Sequence, residues 1–256
     1  MTTMTIGLAL SGGAVRGAAQ IGAIAVLEEN DIPIEIVAGT SAGAAVGALY
    51  AAGLSPDEML SFMKQLSWPR TTRFVGTKQL GFFSTNPFRD RLHDALGTER
   101  FDLLEKKLIV IACDVLTGAR VLLTEGEVCT AVAASTAIPG LFVPVEYGDA
   151  LLIDGGAIDN YPVTVPYEFG AHSVIGIDIG SHPHERKPRN AAEVLLAYME
   201  VKSKSTGVRV ASIDIVPDVR EFSSFDFDNI PEMYERGRSA AFDKLPEILE
   251  LLDTDA

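Results

Sequence analysis

Residues 39–43 read Gly39-Thr40-Ser41-Ala42-Gly43, a G-x-S-x-G set between an apolar run and a stretch of small residues. A serine on a sharp strand-to-helix turn needs small neighbours, because strand and helix must approach closely there. Gly39 and Gly43 supply that smallness. The hydroxyl would project at a helix N-terminus, where the dipole favours developing negative charge. The chemistry of such an elbow is acyl transfer through a covalent serine intermediate. The plainer alternative is that Thr40 and Ser41 only cap the helix.

Two further groups could join that chemistry. Ser11-Gly12-Gly13-Ala14-Val15-Arg16-Gly17 follows the first apolar run and matches neither a P-loop nor a dinucleotide-binding spacing. Its backbone N–H groups at Gly12, Gly13 and Ala14 could converge on an anion, each contributing about 3 kcal/mol to an oxyanion-like transition state. A tight turn without a ligand is the alternative. Arg16 either braces this loop or sits in solvent. Leu151-Leu152-Ile153-Asp154-Gly155-Gly156 ends a strand in an acid and two glycines. Asp154 is a turn residue unless a partner reaches it.

A histidine to complete a Ser-acid-His triad is hard to find. His93 falls within a helix, and His182 and His184 lie in a polar, proline-containing loop. His172 follows Asp154 in sequence but leads into a strand, at its amino end, the wrong edge of a parallel sheet for reaching Ser41. The residues therefore call for a base of another type, and Asp154 fills that role if it packs against Ser41.

The elements that would position these groups alternate as strand, turn and helix. Strands are expected at Thr5–Leu10, Ile34–Ala38, Lys107–Asp114, Arg120–Thr124, Leu151–Ile153, Ser173–Asp178 and Ser212–Val216. Helices are expected at Gly17–Glu29, Ser41–Ala52, Pro87–Leu96, Val128–Ser135, Asn190–Lys204 and Pro231–Leu252. Ser55-Pro56-Asp57-Glu58 carries an N-cap, a proline at the first helical position and first-turn acids. Pro246 is expected to kink or break the last helix. The Thr117-Gly118 turn should join an antiparallel edge pair. Trp68–Phe83 reads as a loop packed by its own aromatics or a flap at a substrate entrance. The pattern predicts one domain over residues 1–256, a three-layer α/β/α fold with a mostly parallel central sheet.

Composition narrows the partners. Lys and Arg number 21 against 35 Asp and Glu, a formal charge of −14. That balance leaves no footprint for nucleic acid and opposes standing attachment to an anionic membrane, though brief contact through an apolar patch stays open. Cys113 and Cys129 have no metal-ligand spacing and read as buried thiols. The start Met1–Thr5 lacks the basic region of a signal peptide, and no apolar run is long enough to span a bilayer, which predicts a cytoplasmic protein. No metal or organic cofactor is implied.

Taken together, the glycine loop with Arg16-Gly17, the elbow at Ser41 and Asp154-Gly155-Gly156 resemble, in order and spacing, the patatin-like phospholipases. Ala134-Ser135-Thr136-Ala137-Ile138-Pro139-Gly140, Asn160-Tyr161-Pro162-Val163 and Phe222-Ser223-Ser224-Phe225-Asp226 extend the resemblance over Ile6 to Ala241. Ser11 departs from it, standing where many members carry more glycine. The resemblance implies a Ser41–Asp154 dyad, an oxyanion loop at Gly12, Gly13 and Ala14, and lipid or small acyl-ester substrates. Arg16, Gly17, Gly39, Gly43, Gly155 and Gly156 take supporting places. Two rivals stay open: a Ser-Asp-His esterase using His172, and a regulatory or binding protein that keeps the fold with little hydrolysis.

Overall fold

A computed structural model describes residues 5–77, 79–180, 187–204 and 211–254. His182, His184 and most of the polar start fall outside the described residues. The chain opens with β1 (Ile6–Leu10), α1 (Gly17–Glu29), β2 (Ile34–Thr40), α2 (Ala42–Ala51) and α3 (Pro56–Lys64). There follow α4 (Trp68–Thr71), β3 (Arg73–Phe74), β4 (Phe83–Ser84), α5 (Asn86–Leu96), β5 (Lys107–Asp114) and β6 (Arg120–Leu123). Next come α6 (Val128–Ser135), β7 (Val145–Tyr147), β8 (Ala150–Asp154) and α7 (Val165–Glu168). The last elements are β9 (Ser173–Ile177), α8 (Ala191–Lys204), β10 (Ile213–Ile215) and α9 (Ile230–Thr254).

Five strands, in the order β10-β9-β1-β2-β5, run parallel. Strands β6, β7 and β8 are antiparallel to their neighbours. Successive residues of a strand face opposite sides, and the core divides accordingly. Ile6, Leu8, Leu10, Leu108 and Val110 meet the thick helical layer containing α1, α2, α6 and α9, whereas Ala9, Ile109 and Ile111 meet the thinner layer around α7. Helix α2 is buried on every side, which its alanines and glycines permit, since nothing polar has to find solvent. Helix α3 is amphipathic and begins at the expected N-cap Ser55, whose side chain also forms a capping box with Glu58. This is the expected three-layer α/β/α architecture.

The Thr117-Gly118 turn joins an antiparallel pair as expected, with β6 as the edge strand: β6 flanks β5 on one side, while β2 and β8 lie on the other. Two local expectations need correction. Helix α9 carries through Pro246 without a break. Proline removes one hydrogen bond, but Met233, Ala241 and Ile248 keep the helix seated on the core across that point. The segment Trp68–Phe83 is partly ordered, holding α4 and the β3–β4 pair. Its aromatics pack on Phe142, which supplies the apolar contact a free loop would lack.

Candidate active site

Strand β5 brings the two key residues together. Ile111 pairs with Thr40, the last residue of β2, and Ala112 pairs with Asp154, the last residue of β8. Because β2 is parallel to β5 and β8 antiparallel, their carboxyl ends meet head to head on one flank of β5. Asp154 therefore reaches the site from the opposite direction to the parallel strands, a route that an apolar run ending in Asp-Gly-Gly does not announce.

At this junction Ser41 Oγ donates to Asp154 Oδ2 at 2.7 Å. Ser41 has φ 53° and ψ −114°, a strained conformation for a residue with a side chain. The turn is tight enough that a Cβ on Gly39 would lie 2.2 Å from the Gly43 carbonyl oxygen, and one on Gly43 2.2 Å from that of Leu10. Ser135 locks the turn, accepting from Ser41 N–H at 2.8 Å and donating to the Ile111 carbonyl at 2.6 Å. Thr40 Oγ1 ties it to the Asp159 carbonyl at 2.8 Å.

Asp154 is buried, 1% exposed. Its Oδ1 accepts from Gly156 N–H at 2.8 Å, so Gly156 orients the carboxyl and leaves Oδ2 for the serine. Loss of hydration pushes its pKa up to about 7, against the opposing effect of the Ser41 and Gly156 hydrogen bonds. Gly155 lies so close to β5 that a Cβ would be 2.3 Å from the Ile111 carbonyl oxygen.

The glycine loop departs from expectation at one residue. Gly12 N–H donates to the Asn160 carbonyl at 2.9 Å and is not offered to a ligand in this conformation. Among the described residues, the N–H groups of Gly13 and Ala14 meet no acceptor, and Ala14 has φ 53°. Ser11, the odd residue of the loop, accepts from Ile179 N–H at 2.9 Å through its hydroxyl, fastening the loop to the end of β9. Arg16 proves to be a brace: buried, it donates from Nε to the Gly13 carbonyl at 3.2 Å and pairs with Glu200 of α8. Gly17 stands where a Cβ would touch Ala42 at 3.4 Å.

His172 lies at the amino end of β9, its Nδ1 facing the Thr5 N–H at 3.4 Å. Thr5 and His172 stand at the end of β1 and β9 opposite Leu10 and Ile177, so the histidine is a full strand length from the elbow. His93 pairs with Glu99 on the surface. Cys113 and Cys129 are buried thiols outside any disulfide, as expected.

Beside Ser41 opens a mostly apolar cavity of about 140 Å³, lined by Ala14, Gly17 and Ala42 and by the aromatic side chains of Phe62, Trp68, Phe88, Phe142 and Phe225. Trp68 meets Phe83 and Phe225 edge to face, with ring centres 5.3 and 5.4 Å away. Sequence reasoning alone did not assign places to Ser135, Asn160, Glu200 or the wall-forming phenylalanines. A serine ending an alanine-rich helix and an asparagine four residues after the Gly-Gly pair are the local signals, and both need the head-to-head strands to acquire meaning.

A family model described as patatin-like phospholipase matches residues 8–167. Among curated proteins, lysophospholipase NTE1 of Debaryomyces hansenii is 24% identical over 99% of this chain and 19% of its own length. Patatin-like phospholipase domain-containing protein 7 of Rattus norvegicus is 36% identical over 71% of this chain and 14% of its own length. The chain thus spans about a fifth or less of these relatives. The crystal structure of VipD from Legionella pneumophila aligns with a TM-score of 0.65 at 15% identity, over 98% of this chain and 67% of that one, a likeness of fold.

Proposed function

This chain belongs to the patatin-like phospholipase family, and from that premise we propose that it hydrolyses lipid acyl esters with Ser41 as nucleophile and Asp154 as base. The observation that carries the reading is the 2.7 Å hydrogen bond between Ser41 and a buried carboxyl, on an elbow beside an apolar cavity. Asp154 takes the hydroxyl proton as Ser41 Oγ attacks the ester carbonyl carbon. The carbonyl oxygen gains the negative charge, and the N–H groups of Gly13 and Ala14 with the N-terminus of α2 stabilise it. Collapse of the tetrahedral species expels the alcohol, which receives the proton from Asp154 and leaves an acyl-serine. Asp154 then deprotonates water for the second attack, releasing the fatty acid and restoring the serine.

A carboxylate of ordinary pKa is a weak base toward an alcohol. Burial raises that of Asp154 to about 7, which strengthens the base and still leaves much of it ionised near neutrality. The apolar cavity fits an acyl chain, and the names of the relatives, a lysophospholipase and a patatin-like phospholipase domain-containing protein, point the same way. Hydrolysis of p-nitrophenyl butyrate tests the reading. Ser41→Ala should lose roughly a thousandfold or more in kcat/KM, with an unchanged circular dichroism spectrum. Wild-type turnover in that variant would end the proposal.

A further inference from the structure

Phe74, Val75, Leu80 and Phe82 all project from the β3–β4 hairpin into solvent, Phe74 at 62% and Leu80 at 69% exposure. Large apolar side chains gathered in this way mark a contact surface. The hairpin is held in place. Val75 N–H donates to the Phe82 carbonyl at 2.9 Å, and both Phe82 and Phe83 donate to the Leu141 carbonyl at 3.0 Å. Val143 N–H closes the other side on the Phe83 carbonyl at 2.8 Å. The exposed groups thus sit on a fixed ledge.

Two observations say what covers the ledge. First, its apolar surface is continuous with the cavity: Phe74 touches Phe83 with ring centres 5.7 Å apart, Phe83 touches Trp68, and Trp68 walls the space beside Ser41. Second, the charge reverses locally. Residues 64–91 carry Lys64, Arg70, Arg73, Lys78, Arg89 and Arg91 against the single acid Asp90, a balance of 6 − 1 = +5 in a chain of −14. Arg89 is engaged by Asp90, whereas Arg91 Nε donates to the Arg70 carbonyl at 3.1 Å, which gathers Arg70 and Arg91 at the foot of the hairpin. Arg73 is exposed on β3 itself.

We propose that the β3–β4 ledge docks on an anionic lipid surface, with Phe74, Leu80 and Phe82 entering the interface and Arg70, Arg73 and Arg91 meeting phosphate headgroups. This rests on the hydrolase reading for its purpose, since the ledge would hand an acyl chain from the bilayer along Phe83 and Trp68 to Ser41. Apolar burial and basic residues act together in such binding, neither being strong alone. The acidity of the whole chain keeps the contact short-lived and confines it to this face.

Vesicle co-sedimentation of the Ser41→Ala protein separates the parts, because that variant leaves the lipids intact. Vesicles of phosphatidylcholine mixed with phosphatidylglycerol should bind it more tightly than phosphatidylcholine alone, and added salt should weaken the difference. Adding Phe74→Ser with Leu80→Ser should weaken binding roughly tenfold or more. Arg70→Gln with Arg73→Gln should weaken it by about the same factor on the mixed vesicles only. In the protein with Ser41 intact, Phe74→Ser with Leu80→Ser should leave hydrolysis of p-nitrophenyl butyrate unchanged. Parent-like vesicle binding by the serine double variant overturns the docking surface while ester hydrolysis still upholds the enzyme. Vesicle binding without ester hydrolysis does the reverse. A dimer that the same double variant dissolves, with no vesicle binding, assigns the ledge to a second copy and also overturns the proposal.

Discussion

At the scale of single residues, Asp154 is the proposed base and the group expected to set the pH response. Its carboxyl holds a pKa of about 7 in the fold, because burial removes the water that would stabilise the charge. In the unfolded chain it returns to roughly 3.9. The folded protein therefore binds this proton more tightly than the unfolded one, and stability falls as pH rises from the unfolded to the folded value. The penalty is absent below that window and complete above it. Asp154→Asn should accordingly be more stable than wild type at pH 8, by roughly 2–4 kcal/mol, and the gain should vanish toward pH 4 in urea unfolding. The same variant should lose esterase activity, since an amide cannot take the serine proton. Wild-type kcat/KM should climb through about pH 7 to a plateau. A stability gain independent of pH would show that the carboxyl is not titrating there. His172→Ala should leave the profile unaltered, given its place beside Thr5.

At the scale of elements, the site depends on how β2, β5, β8 and α8 meet. The Arg16–Glu200 pair joins the glycine loop to α8, and both side chains are almost fully buried. Removing one partner strands the other charge, which typically costs about 3–5 kcal/mol. Arg16→Met should show that loss in denaturant unfolding, and adding Glu200→Leu should recover most of it. Activity should stay low in the double variant, because Arg16 Nε no longer holds the Gly13 carbonyl and the neighbouring N–H groups lose their aim. Recovery of activity along with stability would reduce Arg16 to packing. These elements were unevenly legible in sequence. The boundaries of α1 and α6 and the elbow could be read from periodicity and small residues, which are local properties. The antiparallel course of β8 could not, because strand direction is set by pairing partners far along the chain. The engagement of Gly12 with Asn160 is likewise a contact between distant segments.

At the scale of the whole molecule, one mostly parallel sheet carries Ser41 at its carboxyl edge, and an antiparallel strand brings Asp154 to it. The mostly parallel α/β class and the family were readable from residue order and motif spacing. The aromatic cavity and its exposed ledge were not, since Trp68, Phe83, Phe142 and Phe225 converge from separate stretches of chain. No helix among the described residues is long and apolar enough to cross a membrane. The proposed mechanism has a serine activated by a carboxylate, the two joined by a direct 2.7 Å hydrogen bond. Phosphonylation by a fluorophosphonate, followed by mass spectrometry of the modified peptide across pH, tests that claim most directly. The expected result is a single adduct on Ser41, forming at a rate that follows one ionisation near pH 7 and collapses in Asp154→Asn. An adduct on another residue, or an undiminished rate in Asp154→Asn, would contradict it.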